Sequence, residues 1–297
     1  MSIKSSFSIK DLENLSGVKA HTIRIWEKRY DLLKPERSDT NIRTYDIENL
    51  QKLLNVSLLV GNGFKISKLA KMSEDEVYSN VKSTSLKTSS NEQHINAFKL
   101  AMLNFDQELF DITYNKMLAV CSFREIFQDT FLRLLDEIGV LWMTNTITPV
   151  HERFISTLIQ QKLLLNIERV QGLNEESTKV YALFLPLNEI HELGLLYLHF
   201  ELLLRGYRSL YLGGSVPVEN LMELQKVFTE INFVSYFTVS PGKENVMEYL
   251  NEIHDKITAG SSDCIDVFGA HIQDVDDNEL PATVKIHRSL KDYVNSL

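Results

Sequence analysis

Hydrophobic residues recur at distinct spacings along the chain, and each spacing predicts a different kind of element. Up to about residue 75, short helical patterns follow one another. From Ile95 to about Val170, longer stretches such as FREIFQDTFLRLLDEIGVLW keep the three-to-four residue spacing of amphipathic helices. From Lys179 onward, the apolar runs VYALFLPL, SLYLGG, FVSYFTVS and CIDVFGA alternate with helical stretches. This alternation predicts parallel strands in a doubly wound sheet.

These patterns divide the chain into four segments. We predict a mostly helical N-terminal domain over residues 1–75, a four-helix bundle over 95–172 and an α/β domain over 178–297. Residues 76–94 include the polar stretch VKSTSLKTSSNEQH, which is typical of a flexible linker. The terminal ATVKIHRSLKDYVNSL adds a short strand and a closing helix.

The composition is that of a globular protein with ample core, since 44% of its 297 residues are hydrophobic and 24% are charged. No apolar stretch is long enough to span a membrane, and the N-terminus lacks the apolar core of a signal peptide. We therefore expect a cytoplasmic protein. Cys121 and Cys264 lie far apart without CxxC spacing, which indicates buried thiols in a reducing compartment.

Charge is distributed unevenly along the chain. Residues 1–72 contain 13 Lys and Arg against 8 Asp and Glu, a net charge of +5, whereas the remainder carries −14. We call residues 1–72 the basic head. Its charge, opposite to that of the acidic remainder, indicates that the head alone binds a polyanion.

The basic head carries the order helix, glycine turn, helix. Ser8 and Asp11 have capping-box spacing at the start of the first helix, Gly17 ends it, and Ile23 and Trp26 are spaced to face the core from the second. This order predicts a helix-turn-helix whose second helix enters the major groove. RSDTNIRTY then predicts a hairpin wing that meets phosphate or the minor groove. The candidate DNA-binding residues are Lys19, His21, Thr22, Arg24, Lys28, Arg37, Arg43 and Tyr45.

The whole order resembles the MerR family of winged-helix transcription regulators. The family pattern is matched by GVKAHTIRIWEKRYDLLKPERSDTNIRTYD and GFKISKLAKM, within about residues 6–75. The resemblance implies that the head binds DNA as a dimer on an inverted repeat. Lys19 departs from the serine or threonine that often caps the recognition helix, which weakens the helix start. A helical domain that has lost contact with DNA is the alternative.

In the α/β domain, Glu189, His191 and Gly194 form an acid-x-His-x-x-Gly motif after the first predicted strand. Doubly wound sheets bind ligands at this edge. A neutral imidazole is a good cobalt ligand, a nearby carboxylate can hold its other ring N–H, and glycine lets a bulky group approach the backbone. Small and hydroxyl residues at the ends of the following strands predict a slot for the tail of a ligand, or else ordinary tight turns. They are Gly213, Gly214, Ser215, Thr238, Ser240 and Gly269.

Together these features are similar to the cobalamin-binding module of the light-sensing MerR regulators, the CarH/LitR group. The group's Glu-x-His-x-x-Gly loop matches at Glu189, His191 and Gly194, and HELGLLYL…LRGYRSLYLGGSVP follows its pattern. The resemblance implies a flavodoxin-like cobalamin-binding fold in which His191 is the lower axial cobalt ligand and Glu189 orients it. It also implies that Trp142 and Glu152, from the bundle, cover the upper face of the cofactor.

The upper-face motif of this group departs at two positions. Its bundle carries a Trp, nine residues and then Glu-His, but here Arg153 follows Glu152. Met143 follows Trp142, where some photoreceptor members place a histidine that takes the upper cobalt face after illumination. Light-driven ligand exchange by that route is therefore in doubt, and His151 is the nearby histidine that could substitute.

Three functions remain open at this point. The first is a transcription regulator, dimeric or tetrameric, that binds promoter DNA and responds to cobalamin, in the adenosyl or methyl form, through its oligomeric state. The second is the same regulator with an empty sensor domain that acts by protein–protein interaction. The third is a corrinoid methyl-transfer or mutase module, in which a basic DNA-binding head has no place. We therefore expect no enzymatic activity.

Overall fold

A computed structural model of the chain describes residues 6–37, 42–85, 91–143, 147–172 and 179–297. The chain forms two compact units, Met1–Ile159 and Gln160–Leu297. Within the described ranges, no helix is both long and apolar enough to cross a membrane.

The first unit opens with the predicted helix-turn-helix. Helix α1 (Ile9–Ser16) starts with the capping box of Ser8 and Asp11, and Gly17 ends it at a φ of 70°. Helix α2 (Ala20–Tyr30) follows this turn. Its N-cap residue Lys19 makes no side-chain capping hydrogen bond, as the departure from serine or threonine predicts.

The wing follows α2 as two short antiparallel strands, β1 (Glu36–Arg37) and β2 (Arg43–Thr44). Its predicted tip, residues 38–41, lies outside the described residues. After the wing, the backbone of Tyr45 pairs with that of Phe7 at the start of the head, so the wing is tied to the beginning of the domain. The helices that follow are α3 (Ile47–Gly61), α4 (Ile66–Leu69) and α5 (Glu74–Ser85).

The stretch predicted as a flexible linker, residues 76–94, is helical on both sides of residues 86–90, which lie outside the described residues. Ser73 and Glu76 exchange capping hydrogen bonds at the start of α5, and Val77 and Val81, four positions apart, are both buried. A capping box followed by a buried i, i+4 pair favours a helix even where the remaining residues are polar. The prediction of a linker was based on the Ser/Thr-rich composition and did not consider the capping box or the valine pair.

The predicted bundle is present as a series of helices. A π-helical turn, Phe127–Phe131, links two of these helices, and the ring of Phe98 packs against Phe110 and Phe131 with centroids 5.0 and 5.3 Å apart. The helices are α6 (Asn91–Asn104), α7 (Gln107–Leu118), α8 (Phe123–Ile126), α9 (Leu132–Met143) and α10 (Pro149–Val170).

The described part of the second unit contains a five-stranded sheet in which every pair of neighbouring strands is parallel. The strands are β3 (Val180–Phe184), β4 (Arg208–Gly213), β5 (Ile231–Tyr236), β6 (Cys264–Phe268) and β7 (Val284–Ile286). Their spatial order, β4-β3-β5-β6-β7, is the flavodoxin-like order of a doubly wound sheet. The predicted fold class is confirmed.

Helices cover the sheet and close its core. They are α11 (Leu193–Leu204), α12 (Met222–Gln225), α13 (Val246–Ile253) and α14 (Leu290–Ser296). The core is apolar and fully buried at Phe184, Phe233 and Ile265 on adjacent strands. Cys121 and Cys264 are free thiols, although each is only partly buried rather than buried as expected.

One predicted helix is shorter than expected. In VENLMELQKVFTEI the structure has a single 3₁₀ turn, Val218–Leu221, followed by the four residues of α12. The Gln225 side chain at the end of α12 donates hydrogen bonds to the Ile257 carbonyl and the Asp263 carboxylate, both at 2.7 Å. These long-range contacts hold the chain where the helix ends.

Gly269 illustrates how tightly the sheet edge is packed. It follows β6 at a φ of 116°, and an added Cβ would come within 2.2 Å of the Phe237 carbonyl oxygen. A side chain there meets both a disfavoured backbone conformation and a clash with backbone atoms, which cannot move aside as a flexible side chain does.

Replacement of Gly269 by alanine tests this packing. We expect Gly269→Ala to lower the free energy of unfolding by about 3 kcal/mol or more, from backbone strain and overpacking together. Urea unfolding of the full chain measures the change. Gly139→Ala is the matched control, since an added Cβ on α9 meets nothing within 4 Å and alanine favours a helix by about 1 kcal/mol. Equal stability of the two variants would contradict the packing described.

Candidate functional site

The Glu189–His191 motif lies at the topological switch point of the sheet. Strand β3 is flanked by β4 on one side and β5 on the other, so the connections that follow β3 and β5 leave a crevice beyond their carboxyl ends. The loop between β3 and α11, residues 185–192, occupies this edge. The structure therefore places the motif where an α/β sheet of this order binds ligands.

Glu189 joins the two loops that border this crevice. Its side chain has no exposed surface. One carboxylate oxygen, Oε2, accepts hydrogen bonds from three successive backbone N–H groups after β5, those of Thr238, Val239 and Ser240, at 2.8, 2.7 and 3.0 Å. The Ser240 hydroxyl adds a hydrogen bond of 2.7 Å to the Leu187 carbonyl. The β3 and β5 loops are thus fastened to each other.

The other carboxylate oxygen, Oε1, holds His191. It accepts the backbone N–H groups of Ile190 and His191 at 2.9 and 3.0 Å and lies 2.6 Å from His191 Nδ1. Because an ionised carboxylate only accepts, Nδ1 carries the proton in this contact, and the neutral imidazole then has its lone pair on Nε2. The His191 side chain is 38% exposed. Its ring is therefore oriented by Glu189 through Nδ1 and is partly accessible to solvent.

Burial by itself raises the pKa of the Glu189 carboxyl, but the hydrogen bond from His191 and those from the backbone outweigh it. They hold the pKa of this carboxyl far below its usual range. Glu189 is therefore a permanent carboxylate at neutral pH, which fixes the tautomer and orientation of His191.

Exposed apolar residues lie on both loops that Glu189 fastens together. Leu187 and Ile190 on the β3 loop and Val239 on the β5 loop are each more than half exposed. Scattered exposed apolar residues are ordinary, but these three lie on two joined loops. Among the described residues the neighbouring Thr238 hydroxyl has no hydrogen-bond partner.

Two glycines of the predicted site lie against other parts of the sheet. A Cβ on Gly194 would meet the Tyr236 ring at 2.8 Å, and one on Gly269 would meet the Phe237 backbone. Gly194 therefore makes room for an aromatic ring. The sequence could not show this, because Tyr236 lies 42 positions away in the chain.

The glycines after β4 remain close to the loop. Gly213 and Ser215 have positive φ values of 80° and 57°, and a Cβ on Gly214 would lie 3.3 Å from Glu192 Oε1 and 3.5 Å from the Glu189 carbonyl oxygen. This turn lies against the β3 loop, so the structure brings Gly214 together with the predicted site.

The predicted upper-face residues lie in the first unit. Trp142 and Met143 end α9, but their side chains lie outside what is described, while Glu152 and Arg153 belong to the first turns of α10. His151 has its Nδ1 2.9 Å from the Thr148 hydroxyl, and its ring stacks on Phe105 with centroids 4.8 Å apart.

On the head, most of the predicted DNA-binding residues are accessible. The exposed ones on α2 and the wing are His21, Arg24, Lys28 and Arg37, while Thr22 is half-buried. Lys19 is also exposed, and its ammonium lies 3.4 Å from Glu13 Oε1. The basic residues on α2 thus form the outward face that the sequence predicts.

The side chain of Tyr45, which was predicted to contact DNA, is buried in the structure and only 1% exposed. Its hydroxyl donates a hydrogen bond of 3.1 Å to Glu27 Oε2, and Arg43 Nε donates one of 2.9 Å to Glu27 Oε1. Burial and the Glu27 carboxylate raise the pKa of the Tyr45 hydroxyl. Tyr45 therefore supports the wing from the interior, and its side chain is not part of the exposed face.

Glu27 is the residue that our sequence reasoning missed. It lies on α2 and accepts hydrogen bonds from Arg43, in strand β2 of the wing, and from Tyr45, which follows β2. Its signal was an acidic residue within an otherwise basic helix, which electrostatic attraction to DNA alone does not explain. Such a residue has a structural partner.

No group of three or more His, Cys, Asp or Glu in the described ranges could hold a bare metal ion.

Two protein families match separate parts of the chain. Residues 7–76 match the MerR HTH family regulatory protein family, and residues 94–165 match the B12 binding domain family. The first match covers the winged helix and the second covers most of the predicted bundle.

Two transcriptional regulators and one solved structure are similar to the chain. The HTH-type transcriptional repressor CarH of Myxococcus xanthus is 28% identical over 227 residues, which is 73% of each chain. The HTH-type transcriptional regulator MlrA of Escherichia coli K12 is 27% identical over 70 residues, 24% of this chain and 29% of MlrA. Among solved structures, the monomethylamine corrinoid protein of Methanosarcina barkeri superposes with a TM-score of 0.56 at 14% identity, over 70% of this chain and 98% of that one.

The similarity to the corrinoid protein shows a shared fold alone, and it agrees with the parallel sheet described above. The two family matches carry the assignment further: the first falls on the segment whose residues predicted a MerR-type head, and the second falls on the predicted bundle, N-terminal to the Glu189–Gly194 loop. The chain is a transcriptional regulator of the MerR type that carries a B12 binding domain.

Proposed function

We propose that the chain is a one-component regulator in which His191 holds a cobalamin and the winged helix binds promoter DNA. The observation that carries the proposal is the buried Glu189 carboxylate bonded to His191 at the switch point of the sheet. Cobalamin would supply a cobalt ion that an imidazole nitrogen can ligate, and His191 would hold it through Nε2.

The residues at this edge fit such a cofactor. Glu189 keeps the proton of neutral His191 on Nδ1, so that Nε2 presents its lone pair. Leu187, Ile190 and Val239 offer apolar surface to a flat macrocycle, and the Thr238 hydroxyl offers a polar contact nearby. A site with one nitrogen ligand and exposed apolar residues on its loops suits a metal already chelated on its remaining sides.

By resemblance, we propose Trp142 and Glu152 as further cofactor-binding residues. Arg153 and Met143 stand at positions where light-sensing members use a histidine, so we propose that this chain would hold cobalamin without ligand exchange to a histidine at those positions.

We further propose that cobalamin controls promoter binding through the assembly of the protein, as a homodimer or homotetramer in the cytoplasm. Cofactor binding can shift such an equilibrium only if it favours one assembly over the other. The corrinoid methyl-transfer alternative shares the fold, but the MerR-type head favours sensing over catalysis.

Replacement of His191 tests cobalt ligation directly. The purified protein is mixed in the dark with adenosylcobalamin or with hydroxocobalamin and desalted, and its visible spectrum is recorded. We expect the wild type to retain colour with the spectrum of histidine ligation, and His191→Ala to lose that signature, because the only positioned imidazole of the loop is gone.

His254→Ala is the matched control. His254 belongs to the same unit but bonds Thr283 before β7, at the opposite edge of the sheet, so its loss should leave the spectrum unchanged. A wild-type protein that emerges colourless would overturn the cofactor proposal and favour the regulator with an empty sensor domain.

The pH dependence of stability tests the Glu189 carboxylate. Its folded-state pKa is depressed below the unfolded value of about 4.3, so its stabilisation is complete above about pH 5 and is lost as the pH falls. Between about pH 4 and pH 3, the free energy of unfolding of the wild type should fall more steeply than that of Glu189→Gln, by up to about 1.4 kcal/mol per pH unit.

Urea unfolding at each pH measures both slopes, and Glu223→Gln, an exposed side chain on α12, should keep the wild-type slope. Near pH 7, Glu189→Gln should also be less stable by about 3 kcal/mol, because several N–H groups lose a charged acceptor. Equal pH slopes in Glu189→Gln and wild type would show that the carboxylate is not held in the charged state.

Salt dependence tests the DNA-binding face. Lys28→Ala on α2 should weaken binding to all duplexes about equally and reduce the slope of log K against log salt by about 1, since one phosphate contact is lost. Lys226→Ala, an exposed lysine of the second unit, should leave both quantities unchanged. Fluorescence anisotropy with a labelled duplex over a salt series measures them, and equal slopes for the two variants would remove Lys28 from the interface.

A further inference from the structure

One apolar residue lies on the exposed side of the recognition helix. Ile25 of α2 is 48% exposed, whereas Ile23 of the same helix is completely buried. Ile25 lies four positions after His21 and three before Lys28, both exposed. Residues at these separations share one face of a helix, so Ile25 belongs to the face that carries the basic residues and not to the core face.

This position limits what Ile25 can recognise. An isoleucine side chain has no hydrogen-bond donor or acceptor, so it contributes nothing to phosphate contacts or to the polar edges of bases. In the major groove, thymine is the base that presents an apolar group, its 5-methyl, and apolar side chains contact it. The chemistry of the groove therefore offers Ile25 one partner.

We propose that Ile25 is a specificity-determining residue that reads the methyl group of a thymine, while Arg24 and Lys28 on either side supply the charged contacts. The inference rests on DNA binding by α2. It assigns sequence preference to a residue of this helix that cannot contribute to electrostatic affinity.

The test removes the methyl group alone. Duplexes that bind the purified full-length chain are selected from a random library, and each thymine of a selected duplex is replaced in turn by deoxyuridine. We expect the wild type to bind about fourfold more weakly after replacement at one or more positions, the fold-change that corresponds to about 0.8 kcal/mol for one buried methyl group. Ile25→Ala should bind the unmodified duplex about as weakly and should be indifferent to deoxyuridine at those positions.

Two further variants sharpen the result. Ile25→Val keeps a branched apolar side chain and should retain part of the response, whereas Arg24→Ala should weaken binding yet keep the full response to deoxyuridine. Because Ile25 is half exposed, its variants should match the wild type in thermal unfolding.

The outcomes separate the inference from the function on which it rests. If the chain binds selected duplexes but Ile25→Ala responds to deoxyuridine as the wild type does at every position, the assignment of Ile25 is overturned and DNA binding stands. If no duplex is selected from the library, DNA binding by α2 fails and the assignment fails with it.

Discussion

A single buried carboxylate organises the functional edge of the α/β unit. A charge removed from water is costly unless hydrogen bonds replace the solvent, and Glu189 meets this demand with backbone N–H groups from two loops and with the His191 ring. The same contacts that satisfy the charge hold the β3 and β5 loops together. The position of His191 therefore follows from the requirement to solvate Glu189.

The periodicity of the chain predicted most of the second unit, because buried parallel strands and their covering helices each carry a local pattern. The Glu-x-His-x-x-Gly motif likewise predicted the contact between Glu189 and His191, since the two residues lie two positions apart. The donors that hold Glu189 could not be predicted. They are main-chain N–H groups of residues 238–240, which every residue type except proline carries, and they lie about 50 positions away.

The differences between prediction and structure share this origin. A Cβ on Gly194 or Gly269 would meet Tyr236 or the Phe237 backbone, which a local motif cannot reveal. Tyr45 was assigned to DNA from its place in the predicted wing, whereas its hydroxyl turns inward to Glu27. The polar stretch after residue 75 was interpreted from composition, which hid a capping box and a buried valine pair. In each case the structure depends on a contact with a residue distant in sequence, or on a short helix-forming motif within a stretch of polar composition.

The α/β architecture is shared with a corrinoid protein of different sequence, and a fold by itself does not decide function. The winged helix is the second functional part of this chain, and there Glu27 has a consequence for engineering. The Glu27 carboxylate on α2 accepts hydrogen bonds from Arg43 and Tyr45. The recognition helix and the wing, the two parts of the DNA-binding surface, are therefore held to each other. A recognition helix transplanted from another regulator would leave an arginine and a buried hydroxyl without their acceptor, unless it brought an acid at the same position. New sequence preferences are therefore to be built by exchanging helix and wing as one cassette, or by changing outward residues around a retained Glu27.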